Sequence, residues 1–159
     1  MAARPQVFQP NLPKKTLVRD AQAAVASCAG WASRLAARRI TNFLEQHMQA
    51  SGLSLTQFGL LAQIVSAPED TFGALAERTG LDQSTLSRNL RGLETVGLVE
   101  IAIAEDDQRR RAVWLTELGA QQLEAAMPVW KSAHAALSER LDPRLALGLA
   151  AAAERLVDE

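Results

Sequence analysis

The chain has 159 residues, of which 48% are hydrophobic and 22% charged, and its formal net charge at pH 7 is −1. This composition excludes a disordered chain. The length is sufficient for one domain, or for two small lobes that share a core. Because the protein is not basic overall, any attraction to nucleic acid must come from a local patch of charge.

The first 16 residues are predicted to form an extended arm, since Pro5, Pro10 and Pro13 interrupt them. They contain no apolar core of a signal peptide, and the chain has no run of about eighteen apolar residues that could span a membrane. A lone cysteine, Cys28, cannot form an intrachain disulfide, which fits a reducing compartment. We therefore expect a cytoplasmic protein.

Apolar residues recur three or four positions apart from Leu17 to Met48. This spacing predicts one amphipathic helix of roughly 30 residues, about 45 Å long. A helix of that length extends beyond a single small lobe. Its apolar stripe is more easily buried if a second chain covers it.

The middle of the chain contains the start and stop signals of three shorter helices. Ser54 and Gln57 form a capping-box pattern at the start of the first, which Pro68 ends. Thr71 precedes the second helix and the segment TGLD follows it, with Asp82 as a suitable N-cap for the third. Two short helices joined in this way predict a helix-turn-helix.

The third helix has two chemically different sides. Leu86, Leu90 and Leu93 fall on one side at helical spacing, and serine and arginine side chains lie on the other. The leucine side is predicted to pack inward, which turns the hydroxyl and guanidinium groups outward.

After Leu98 the apolar period changes to two, which predicts a β-hairpin whose tip is the charged stretch EDDQRRR. Thr116 is then expected to cap a long helix through Leu141 that Pro128 should bend. Asp142-Pro143 is expected to start a last helix. The predicted fold class is mainly α with a small β-hairpin wing.

The segment LAERTGLDQSTLSRNLRGLETVGLV followed by DDQRRRAVWLTELG resembles the MarR family of bacterial transcriptional regulators. The wing of that family carries Asp-x-Arg, followed six residues after the arginine by Leu-Thr. Asp107, Arg109 and Leu115-Thr116 keep this spacing. The resemblance implies a winged helix-turn-helix over residues 53–116, flanked by helical dimerisation regions at 17–52 and 117–159.

The resemblance and the physical argument agree on a surface for double-stranded DNA. A helix fits the major groove, where side chains of its first turns meet base edges and phosphates. By resemblance, Arg109 enters the minor groove and Asp107 holds its guanidinium extended, while Arg110 and Arg111 bind flanking phosphates. The predicted DNA-binding residues are Gln83, Ser84, Thr85, Ser87, Arg88, Arg91, Asp107, Arg109, Arg110 and Arg111.

Members of the family are homodimers built from their terminal helices, which gives the two apolar stripes a role. Two-fold symmetry would place the recognition helices about one DNA turn apart, so we expect a palindromic operator. The predicted interface residues are Leu17, Val18, Val25, Leu137, Leu141, Leu145, Leu149 and Leu156. Some of these could instead line the core of one chain.

Many relatives sense a small molecule in a cleft between the dimerisation helices and the winged lobe. A site for a small aromatic effector needs aromatic walls and a few polar groups. The candidates are Trp31, Arg34, Phe43, His47, Phe58 and Trp130, although large residues at helical spacing are more often packing residues. The resulting hypothesis is a repressor that a ligand releases from its operator.

Two alternatives remain open. The near-zero net charge fits a winged-helix protein-interaction module that does not bind DNA. Cys28 suggests a peroxide-sensing regulator, although a lone cysteine on an apolar stripe is more often an inert core residue. The sequence contains no metal-ligand cluster, phosphate loop or nucleophile elbow, so we expect no metal, no cofactor and no enzymatic activity.

Overall fold

The structure is a computed structural model that describes residues 15–67, 71–104 and 107–156; at 103–104 and 107–111 it describes the backbone alone. These residues form helices and one antiparallel two-stranded hairpin. The order is α1 (Lys15–Ser27), α2 (Ala29–Met48), α3 (Leu55–Ser66), α4 (Phe72–Thr79), α5 (Gln83–Thr95), β1 (Val99–Ala104), β2 (Asp107–Leu115), α6 (Glu117–Ser138) and α7 (Pro143–Ala153), with 3₁₀ turns at Gln49–Ser51 and Glu154–Leu156.

The prediction of one continuous helix from Leu17 to Met48 is wrong. Cys28 is not helical and separates α1 from α2. Before the break, Ser27 Oγ donates to Ala23 O at 2.9 Å, a bond of the kind that bends helices. Gly30, a weak helix former, follows it. The apolar period continues through the break, which is why the sequence pattern alone does not show it.

The predicted caps of the central helices are confirmed. Ser54 and Gln57 form the full capping box at α3, with bonds of 2.9 and 3.1 Å. Thr71 Oγ1 accepts the Ala74 amide of α4 at 3.2 Å. Gly80 ends α4 at φ +64°, a left-handed conformation that glycine adopts without strain. The predicted stop at Pro68 lies outside the described residues.

The chain divides into two compact units, residues 1–39 and 40–159, so that the boundary lies inside α2. The predicted functional division at residues 52 and 117 stays a prediction, and helix α6 belongs to the same unit as the winged lobe. The reason is its packing: Leu123 and Ala126 of α6 are buried in one core with residues of α3, α4, α5 and the hairpin. That core includes Met48, Leu61, Leu86, Leu90, Leu93 and Val99.

The predicted hairpin is confirmed, but its predicted tip is too long. β2 already begins at Asp107, so most of the stretch assigned to a charged turn is strand. The register pairs Val99 with Leu115 and continues to Ile103 with Arg111, after which it shifts and Ala104 pairs with Asp107. The three residues from 108 to 110 fall within this shift. An irregularity here bends the strand and increases its twist.

The C-terminal helices begin where they were predicted to begin. Thr116 Oγ1 caps α6 by accepting the Gly119 amide at 3.0 Å, and Asp142 caps α7 with Pro143 in its first turn. The end of α6 is corrected from Leu141 to Ser138, and the helix passes through Pro128. Among the helices described, none is long and apolar enough to cross a membrane.

Candidate nucleic-acid interface

Helix α5 has the two-sided character that its sequence predicts. Leu86 and Leu90 are fully buried, and Leu93 is 1% exposed. These three side chains fix the rotation of α5 about its axis, because a helix that turned would expose them. Opposite them, the exposed side chains are Gln83, Ser84, Arg88 and Arg91, while Thr85 and Ser87 are half-buried.

The first turn of α5 is organised around the Asp82 carboxylate. Its Oδ1 accepts the Thr85 amide at 2.8 Å and the Ser84 hydroxyl at 2.6 Å, and its Oδ2 accepts the Thr85 hydroxyl at 2.8 Å. The bonds from Ser84 and Thr85 hold the pKa of Asp82 far below its usual range. Both hydroxyls therefore donate within the protein, and each offers only its lone pairs to a ligand.

The sequence pattern identified Asp82 as a cap but missed this second role. Ser84 and Thr85 were predicted to face DNA, and the structure shows that their hydroxyl protons are already engaged. The signal was present in the sequence, because an N-cap aspartate has two oxygens and only one is needed for the backbone amide.

Arg88 and Arg91 are the exposed cations of this face. Among the residues that the structure describes, neither guanidinium has a hydrogen-bond or ion-pair partner. Arg78 of α4, by contrast, donates to Gln63 Oε1 and Gln63 O at 3.1 Å and so links α4 to α3. Two free guanidiniums three residues apart can reach phosphates or a guanine edge one turn apart on the same helix face.

The wing residues of the predicted interface are placed only by their backbone. Asp107, Arg109, Arg110 and Arg111 lie on β2, and their side chains are outside the described part of the structure. Their predicted contacts with the minor groove and with phosphates therefore stay predictions.

The base of the hairpin is fixed by contacts that the sequence pattern did not indicate. Trp114 Nε1 donates to Glu100 Oε2 at 2.9 Å across a directly opposed pair of strand residues. Gly119 of α6 packs so closely that a Cβ there would overlap the carbonyl of Leu98. Thr116 Oγ1 also donates to Gly97 O at 2.6 Å. These contacts hold β1, β2 and the start of α6 together.

The six predicted effector-site residues are divided between the two units, with Trp31 and Arg34 in the first and the other four in the second. Phe58 is 5% exposed and belongs to the core, where its ring stacks on Trp130 at 5.8 Å between centroids. The ring of Phe43 contacts that of His47, with 4.2 Å between the ring centroids. Trp31 and Arg34 lie in the N-terminal unit, where they line a cleft of about 190 Å³. Packing thus accounts for the aromatic side chains of Phe58 and Trp130, whereas Trp31 and Arg34 line the cleft.

Most of the predicted interface residues have exposed side chains. Leu137 is the exception, because it is 6% exposed and packs with Leu44 and Ala133 inside one chain. Its assignment to the interface is corrected to a core position. Leu141 is half-buried against the same cluster. The others are more than 40% exposed: Leu17, Val18, Val25, Leu145, Leu149 and Leu156.

Cys28 is exposed rather than part of an apolar core. The expectation of a core position is therefore wrong, because α1, which precedes this residue, buries no side chain either. Its carbonyl accepts the Ala32 amide at 3.0 Å, the first bond of α2.

Comparison with known proteins agrees with this architecture. A model of the MarR family matches residues 51–110. The transcriptional regulator HosA of Escherichia coli is 35% identical over 80 residues, which are 50% of this chain and 59% of that protein. The chain thus aligns with less than two thirds of the length of this curated relative.

Solved structures extend the similarity to most of the chain. The Mycobacterium tuberculosis transcriptional regulator MosR, in complex with DNA, has 31% identity and a TM-score of 0.73, over 82% of this chain and 96% of that one. The E. coli MarR structure has a TM-score of 0.61 at 22% identity, over 81% of this chain and 96% of that one, and it supports the fold alone. The chain belongs to the MarR family of transcriptional regulators.

Proposed function

We propose that the protein regulates transcription by binding double-stranded DNA as a homodimer, with α5 of each copy in the major groove. The observation that carries this proposal is the outer face of α5, where Arg88 and Arg91 are exposed and have no partner in the described part of the chain, on a helix held by three buried leucines. A rigid helix with free guanidiniums has the dimensions and the charge that the major groove accepts.

The wing supplies a second contact in this proposal. Arg109 enters the minor groove, whose narrow parts concentrate negative potential. The MosR complex supports DNA as the partner, because that relative, solved with DNA, matches 82% of this chain at 31% identity.

The homodimer forms through the terminal helices. Leu17, Val18 and Val25 border an open concavity of about 710 Å³ on α1, and Leu145 and Leu149 are exposed on α7. Leaving these apolar side chains in water is unfavourable in free energy, and a second copy that packs against them removes this cost. Because the proposed dimer is two-fold symmetric, its operator is a palindrome. In this proposal the bound dimer represses transcription, and a small ligand releases it from the operator.

Selection of duplexes from a randomised library by the full chain tests the proposal. We expect an enriched palindrome with half-sites about one turn apart, and a two-chain assembly by sedimentation. Recovery of unenriched DNA at low ionic strength would contradict the proposal.

The winged-helix protein-interaction module is the second candidate, and one observation favours it. Residues 40–159 contain ten Lys or Arg and seventeen Asp or Glu, a net charge of −7, so the lobe that contains α5 is acidic overall. A module of this kind would show no salt-dependent affinity for any duplex, whereas a DNA-binding lobe loses affinity steeply as salt rises.

A further inference from the structure

Two hydroxyl groups at the start of α5 have a fixed hydrogen-bond direction. Ser84 is exposed and Thr85 is half-buried. Ser84 Oγ donates to Asp82 Oδ1 at 2.6 Å, and Thr85 Oγ1 donates to Asp82 Oδ2 at 2.8 Å. Because an ionised carboxylate can only accept hydrogen bonds, neither hydroxyl has a proton left for a ligand. Each still has lone pairs that can accept a hydrogen bond.

Ser87 shows that this direction is not a general property of the serines on α5. It is half-buried, and within the described ranges its hydroxyl has no hydrogen-bond partner. Such a hydroxyl can rotate and either donate or accept. The restriction at Ser84 and Thr85 therefore comes from the Asp82 carboxylate.

The major groove offers both kinds of partner. Adenine N6 and cytosine N4 carry amino groups that donate, whereas guanine O6 and thymine O4 are acceptors. Phosphate oxygens are acceptors as well. A hydroxyl that has already donated its proton can pair with an amino group, but it meets a keto or phosphate oxygen with one lone pair against another. Ser84 and Thr85 thus complement amino groups alone.

The charge of Asp82 directs the first turn of α5 away from phosphates. Its exposed carboxylate repels a phosphate nearby. Its Oδ1 also accepts the Thr85 amide at 2.8 Å, so this amide is not available to an anion at the helix N-terminus. Phosphate contacts on this face are left to the exposed guanidiniums of Arg88 and Arg91, which can also donate to guanine.

We infer that Asp82 sets the base preference of α5 by making Ser84 and Thr85 acceptors only, so that each selects adenine or cytosine over guanine or thymine. The inference rests on the proposed function, because it requires α5 in the major groove. Asp82 is a positioning residue, since it acts through the two hydroxyls and not by touching a base. Each half-site should therefore contain two positions at which one strand carries a base with an amino group.

Asp82→Asn changes one atom of the carboxylate and tests this role. The Thr85 amide keeps the asparagine oxygen at the Oδ1 position, so the NH₂ group replaces Oδ2 and donates to Thr85 Oγ1. The Thr85 proton then turns outward. In selection from a randomised duplex library, the preference at its position should reverse to guanine or thymine by about three- to tenfold. The position that Ser84 contacts should keep its preference.

Thr85→Val in the Asp82→Asn background identifies the hydroxyl responsible, because it removes that hydroxyl and keeps the side-chain shape. The reversed preference should disappear. If Asp82→Asn instead lowers the affinity for all duplexes equally, its role is only structural and the inference is overturned.

Ser84→Ala tests the second acceptor. It should reduce the preference for adenine or cytosine at one position by about three- to tenfold, to near equality with guanine and thymine. Ser87→Ala is the matched control, since its hydroxyl does not bond Asp82, and it should leave both amino-group preferences unchanged. An equal loss of affinity for every duplex in Ser84→Ala would mean that Ser84 contacts the DNA backbone, which would overturn the inference.

NMR titration of the Asp82 carboxyl in the full chain without DNA tests the hydrogen-bond direction itself. Ser84→Ala and Thr85→Val should each raise the pKa of Asp82, because each removes a donor to the charged form. An unchanged pKa in both variants would overturn the inference and leave the proposed function standing. A library that yields no enriched motif would contradict the proposed function and the inference together, whereas one motif shared by all variants would contradict the inference alone.

Discussion

Helices α5 and α1 have the same length of 13 residues and similar apolar periodicity, yet they differ in what they bury. α5 buries three leucines within its own chain, whereas α1 buries no residue and exposes Leu17, Val18 and Val25. A helix with a covered stripe is held at a fixed rotation. A helix with an uncovered stripe leaves its apolar side chains in water unless another molecule covers them. The proposed function therefore assigns the covered stripe to a rigid reading surface and the uncovered one to association.

The largest expected effect comes from a substitution in the buried leucine stripe of α5. Leu90→Ala should lower the free energy of unfolding by about 2–5 kcal/mol, because it leaves a cavity at a fully buried position. Leu149→Ala, at an exposed leucine of α7, should instead weaken self-association. Urea unfolding and sedimentation at one protein concentration measure both. Equal losses of unfolding free energy would remove the distinction between covered and uncovered stripes.

Gly119 tests the close approach of α6 to the hairpin. Gly119→Ala should destabilise the chain by about 1–3 kcal/mol, since the added methyl overlaps the Leu98 carbonyl and the backbone must move. Gly148→Ala on α7 is the matched control, because among the described residues no atom outside its own helix turn lies within 4 Å of its Cβ position. It should stabilise the helix by up to about 1 kcal/mol. Thermal unfolding of the two variants would show opposite signs; shifts of the same sign would argue against this contact.

Thr116 connects the same junction by two hydrogen bonds. Thr116→Ala should lower the free energy of unfolding by about 1–2 kcal/mol, because α6 loses its cap and Gly97 O loses a donor. Thr116→Ser keeps the hydroxyl and should recover most of the loss. If serine does not rescue the stability measured in urea, the methyl group rather than the hydrogen bonds is responsible.

The smallest expected effect is on how the stability of the chain changes at acidic pH. The folded-state pKa of Asp82 is lowered, so its contribution to stability is present above the unfolded-state pKa and is lost as pH falls through the folded one. Asp82→Asn can still cap α5 but cannot titrate. Below about pH 4, the wild-type chain should therefore lose stability more steeply with falling pH than Asp82→Asn. Parallel stability profiles for the two proteins in acid would contradict this role.

The sequence predicts the features of this fold that depend on neighbours along the chain. The caps at Ser54, Thr71 and Asp82 are local, since each side chain bonds an amide three residues away. The inward side of α5 follows from spacing alone. The apolar period of two predicted the hairpin, and the family resemblance then supplied the expected partner.

The features that the sequence did not predict depend on contacts between distant residues. The break at Cys28 leaves the apolar period intact, and the close approach of Gly119 to Leu98 is visible only once α6 packs on the hairpin. Leu137 and Leu149 have similar apolar surroundings in sequence, but Leu44 covers only the first. The sequence analysis predicted two residues of the cleft on α2, Trp31 and Arg34. It did not predict the other two lining residues, Leu35 and Arg38.

The central claim is that the exposed guanidiniums of α5 read DNA, and fluorescence anisotropy with the selected duplex tests it most directly. Arg88→Ala should weaken binding by about 1–3 kcal/mol and relax the preference at one base position in each half-site. Lys131→Ala removes the same charge from an exposed residue about four turns along α6 and should leave both nearly unchanged. Equal affinity and equal sequence preference for Arg88→Ala and wild type would contradict the account.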